Sequence, residues 1–74
     1  MFEYVAIKEV LRSEENMDCC SYGVKIYLVK ECRYEIATVC DITDDQGVVD
    51  RIVKYCNRRE VNPIYFLQAL DYFI

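Results

Sequence analysis

The sequence predicts an α+β domain: a three-stranded antiparallel β-meander followed by two short helices packed on one face of the sheet, in the order β-β-β-α-α. Three observations predict it. Apolar residues alternate with period two through most of the chain up to Ile42. That period then stops, and apolar residues recur at helical spacing. Each helical stretch opens on a residue suited to cap a helix, Thr43 and Asn62. All connections are short, and none requires a parallel crossover.

The first strand is expected over Phe2 to Leu11. Val5, Ile7 and Leu11 lie on one face, and Phe2, Tyr4, Ala6 and Val10 on the other. Arg12 to Asp18 is polar and reads as a loop. The second strand runs from Cys20 to Lys30, with Tyr22, Val24, Ile26 and Leu28 alternating against Ser21, Gly23, Lys25 and Tyr27. Gly23 inside it marks a bulge or a close approach of backbone. A short turn within residues 30–33 leads to a third strand, with Tyr34, Ile36, Cys40 and Ile42 on one face. A three-residue turn puts even positions of both strands together, Ile26 near Ile36, and this register is expected because it follows the apolar pattern.

Thr43 is the expected N-cap of the first helix, with Gln46 completing a capping box and Asp44 and Asp45 in the first turn. Val48, Val49, Ile52, Val53 and Cys56 form its inward stripe. Asp50 and Lys54 are spaced for an i,i+4 pair, and Arg58 and Arg59 complement the C-terminal end of the helix dipole. Its β-branched residues make it a helix that forms by docking on the sheet. Asn62 and Pro63 start the second helix as N-cap and first residue, with Val61 placed to staple onto Phe66. Ile64, Leu67, Leu70 and Phe73 or Ile74 are its expected inward stripe, and Tyr65, Phe66, Ala69 and Tyr72 make the other sides apolar as well.

Composition narrows the function classes. The 74 residues form a single domain, 54% hydrophobic, with 2 Gly and 1 Pro, so the chain is not disordered. A net charge of −4 argues against nucleic acid as a partner. The N-terminal stretch carries acids and no basic region, unlike a signal peptide. No uncharged apolar run reaches the ~18 residues that span a bilayer, so no membrane partner is expected. The five cysteines are odd in number and there is no His, which fits free thiols in a reducing cytoplasm.

Several local patterns also resemble a known family. Tyr22-Gly23-Val24 opens a strand, Asp41-Ile42-Thr43-Asp44 leads into a helix, Val61-Asn62-Pro63 starts a second, and Asp71-Tyr72-Phe73 follows. Together these are similar to a family of small bacterial proteins classed as a domain of unknown function, over about residues 20–74. The resemblance implies the same fold order and a bacterial cytoplasmic setting. It supplies no catalytic residue, and the cysteines are not part of its pattern.

No catalytic constellation can be built from these residues. There is no His to activate a thiol, no Gly-rich phosphate loop and no G-x-S-x-G, so the chain is not expected to be an enzyme. No cofactor or metal is assigned. Asp41, Asp44, Asp45 and Asp50 lack the spacing of a calcium loop and are explained by the helix start. The informative feature is the seven tyrosines, because Tyr is enriched at interfaces. Two helices cover one face of the sheet. The other is expected to show Tyr27, Val29, Ala37 and Val39 between Lys25, Arg33 and Glu35. The sequence thus points to a cytoplasmic protein-interaction module that forms a homodimer or binds another protein through Tyr27, Val29 and Val39, with Phe2 and Tyr4. The alternative is a metal- or small-ligand-responsive regulator using Cys19-Cys20 or the Asp41 to Asp45 entry.

Overall fold

In the computed structural model, which describes residues 1–12 and 18–74, three strands form one antiparallel sheet in the order β1-β2-β3. They are β1 (Phe2–Arg12), β2 (Asp18–Val29) and β3 (Arg33–Thr43). The helix α1 (Gln46–Arg58), a 3-10 turn (Pro63–Tyr65) and a short α2 (Phe66–Leu70) follow. The predicted α+β order is therefore present. Arg12 and Asp18 lie within paired strands, and the rest of the polar connection falls outside the described residues.

The register of β3 departs from the expectation in an instructive way. Val29 opposes Arg33, Leu28 opposes Tyr34 and Tyr27 opposes Glu35, the pairing a three-residue turn dictates. Between Ile26 and Tyr27 the register then shifts, so that Ile26 faces Ala37 and not Ile36. One extra residue in β3 reverses which side chains face the core. Ala37 and Val39 pack against the core, while Ile36 is exposed. A second shift follows between Tyr22 and Val24, where Asp41 adopts a left-handed backbone with φ of 54°. Gly23 makes this possible. A Cβ there would sit 2.3 Å from the Val39 carbonyl oxygen, so the backbone of β3 passes where a side chain would stand.

The core lies between the sheet and the helices. Tyr4, Val24, Ile26, Val49, Ile52, Cys56, Phe66 and Ala69 are buried. From α1 the sheet takes Val49, Ile52 and Cys56, as the helical spacing predicts. The helix begins two residues later than expected. Asp45 is the N-cap and accepts from the Gly47 N–H at 2.8 Å. Thr43 ends β3, its Oγ1 accepting from the Asp45 N–H at 3.1 Å, and no acid lies in the first helical turn. Strand pairing of Thr43 with Tyr22 holds it in the sheet. Asp50 and Lys54 form no ion pair; those found among the described residues are Lys25–Glu35 and Arg33–Glu3, both on the sheet.

At its other end α1 stops in a Schellman arrangement. The Val61 N–H reaches the Cys56 carbonyl at 3.0 Å and the Glu60 N–H the Asn57 carbonyl at 3.3 Å, with Glu60 left-handed at φ 49°. This turn delivers the Val61 carbonyl to the buried Tyr4 hydroxyl, which donates to it. The Tyr4 ring stacks on Phe66 with centroids 5.5 Å apart. Asn57 completes the junction. Its side-chain oxygen accepts from the Tyr4 N–H and its amide donates to the Tyr4 carbonyl, both at 2.8 Å. One carboxamide thus satisfies both main-chain groups of Tyr4 that β2 does not use. After Asn62, which caps the 3-10 turn as predicted, the buried residues are Phe66 and Ala69. Of the expected stripe, Leu70 and Phe73 pack against the core, whereas Ile64 and Leu67 are exposed, at 75% and 69%. The 3-10 turn is the reason. Its tighter winding rotates the following helix relative to a continuous helix begun at Pro63.

Candidate functional site

The five residues singled out as an interface fall on two faces of the sheet. Tyr4 is 1% exposed and belongs to the core, and Phe2 and Val39 pack against that core beneath the helices. Only Tyr27 and Val29 are left for the open face. There the Arg33 guanidinium lies 4.1 Å from the centroid of the Tyr27 ring and is ion-paired with Glu3. Lys25 pairs with Glu35 at 3.5 Å, and Glu35 also accepts from the Thr38 hydroxyl at 2.8 Å. That hydroxyl, followed by the Lys25 charge, holds the Glu35 carboxyl below its ordinary range. The charges of the open face are paired with one another, and Arg33 lies over the Tyr27 ring.

The reactive groups considered from sequence are quenched or unassembled. Burial pushes the Cys56 thiol up to about 11. The Cys40 thiol is raised as well, chiefly by its hydrogen bond to Glu9. Both are held as thiols, which are poor nucleophiles and poor ligands. Cys20 and Cys32 are exposed and free; the Cys19 side chain lies outside the described residues. Asp41 accepts from the buried Ser21 hydroxyl at 2.6 Å, and Asp45 caps α1. Among the described residues no group of three His, Cys, Asp or Glu side chains could hold a metal ion. None of the described helices is long and apolar enough to cross a membrane.

Exposed apolar groups gather on the helical side. Among the described residues, five of the nine exposed large hydrophobic side chains are Ile64, Tyr65, Leu67, Tyr72 and Ile74; the others, Met1, Val10, Tyr34 and Ile36, are spread over the sheet and the N-terminus. The five sit within 11 residues of the sequence. A shallow cleft of about 160 Å³ lies beside them, lined by Tyr55, Val61, Tyr65, Gln68, Ala69 and Tyr72. Tyr55 links it to a second, larger groove of about 440 Å³ lined by Arg51, Lys54, Arg58, Arg59 and Phe73. Tyr55 meets Phe73 edge-on at 5.5 Å between centroids, and Arg59 lies 5.2 Å from the Tyr55 ring centroid. Residues 51, 54, 55, 58 and 59 recur at helical spacing along the outer side of α1. That spacing was a usable signal in the sequence, obscured because Arg58 and Arg59 already had a role at the helix end.

A family of unknown function, DUF6514, matches residues 1–74, the entire chain. The chain belongs to this family. The match supports a domain of unknown function, and it covers the whole chain, β1 included. No curated protein and no solved structure matches the chain.

Proposed function

We propose that the chain is a small protein-interaction module that acts by binding rather than by catalysis, and that it pairs with a second copy of itself through the apolar surface of the 3-10 turn and α2. The observation that carries this reading is the concentration of exposed large hydrophobic side chains at Ile64, Tyr65, Leu67, Tyr72 and Ile74. Free thiols at Cys20, Cys32, Cys40 and Cys56 support a reducing, cytoplasmic setting.

Native mass spectrometry in reducing buffer tests it. The wild-type chain is expected as a dimer, and the double variant Ile64→Lys/Leu67→Lys as a folded monomer with an unchanged circular-dichroism spectrum. A wild-type monomer overturns the reading. A dimer that survives this variant but dissolves in Tyr27→Lys/Val29→Lys moves the interface to the open sheet.

A further inference from the structure

The groove along α1 has a different character from the apolar surface beside it. Arg51, Lys54, Arg58 and Arg59 are four of the chain's nine basic residues, in a protein whose net charge is −4. The ion pairs found among the described residues involve Lys25 and Arg33 on the sheet, and none joins a groove cation to a carboxylate. The helix dipole accounts for Arg58 and Arg59 in or next to the last turn, but not for Arg51 and Lys54 further back. Four cations on one helix face repel one another, and an anionic occupant would relieve that repulsion. The wall they flank is aromatic, Tyr55 against Phe73.

We propose that this groove is a docking site for an acidic peptide segment of a partner protein, one carrying carboxylates beside an aromatic or aliphatic side chain. Arg51 and Arg58 stand two helical turns apart on one side of α1, about 10 Å along its axis. Carboxylates on successive turns of a facing helix, or a few residues apart in an extended segment, meet that spacing. Guanidinium groups take carboxylates bidentately, so the two arginines fix the segment's direction as well as its charge. The apolar side chain of the segment lies against Tyr55 and Phe73. A nucleic acid suits the site less well. Its continuous line of phosphates runs beyond the groove, and in sequence Asp50 and Glu60 directly flank Arg51 and Arg59. A short acidic segment ends where the cations end. The cations lie on α1 and the apolar residues proposed to pair lie on the following segment, with Tyr55 at the border of the two surfaces.

Fluorescence polarisation of a fluorescein-labelled peptide, glutamates and aspartates around a central phenylalanine, tests the site. The acidic peptide is expected to bind wild-type protein, more weakly as salt rises. Its Gln/Asn counterpart is expected not to bind. The exposed double variant Arg51→Gln/Arg58→Gln should keep its fold and its oligomeric state and lose about tenfold in affinity, the sum of two exposed charge-assisted pairs. Replacing the phenylalanine by serine should weaken binding further. The proposal is overturned by an acidic peptide that does not bind, by equal binding to the variant, or by a single-stranded oligonucleotide that binds more tightly than the peptide.

Discussion

The helix α1 and the segment from Pro63 to Ile74 are both rich in apolar residues, yet they end in opposite conditions. On α1 the side toward the sheet is apolar and buried at Val49, Ile52 and Cys56, and the outer side is charged. The later segment buries Phe66 and Ala69 but leaves Ile64, Leu67, Tyr72 and Ile74 at 69% exposure or more. Docking on the sheet accounts for the apolar residues of α1. It accounts for only one narrow stripe of the second segment. The difference separates residues that hold the fold together from residues the fold carries on its surface.

The sharpest way to break that contrast is truncation of Phe66. Phe66→Ala removes the ring stacked on Tyr4, and an expected loss of ~3–5 kcal/mol should appear in urea denaturation. Next comes Gly23→Ala, which forces a methyl group onto the Val39 carbonyl. A loss of about 1–3 kcal/mol is expected there, and an unchanged midpoint would remove the close approach as the reason for the second register shift. Alkaline pH probes the buried side of the comparison. Burial raises Cys56 to about 11 from 9.0, and burial together with nearby Cys56 raises Tyr4 to about 12 from 10.0. The unfolded chain gives up these protons first, so their contribution is complete below pH 9 and is lost as pH climbs through 11 and 12. Melting temperature should therefore fall with rising pH in that window. The smallest effect belongs to Leu67→Ala, within about 0.5 kcal/mol of wild type when both are measured dilute enough to be monomers. A loss as large as that of Phe66→Ala would mean that the exposed side is structural after all.

Strand count, element order, the capping role of Asn62 and the inward residues of α1 were legible in the sequence, because each rests on local periodicity or local chemistry. The three-residue turn and the pairings next to it were legible too. What followed Ile36 was not. A single inserted residue reverses the faces of a strand, and nothing at Ile36 distinguishes it from a regular strand position. Val39 was therefore assigned to the open face and lies under the helices. Gly23 did announce the second irregularity, since only a missing side chain admits the neighbouring backbone. The stripe of Ile64 and Leu67 failed because a 3-10 turn and an α-helix wind differently, and Pro63 is compatible with either. Asn57 is invisible in sequence. Its role depends on a contact 53 residues away.

That contact bears on how the chain associates. A bare strand rim is a template, and like strands can add to it from other molecules indefinitely. On β1 the Asn57 amide occupies the donor and acceptor of Tyr4, near the start of the row an incoming strand would need. At the opposite rim β3 is broken out of line at two places, near Ile36 and near Asp41. A chain that displays this much apolar side chain is exposed to the risk of fibrous growth. With one rim blocked near its start and the other bent, an incoming strand finds no long unbroken row of backbone groups to pair with.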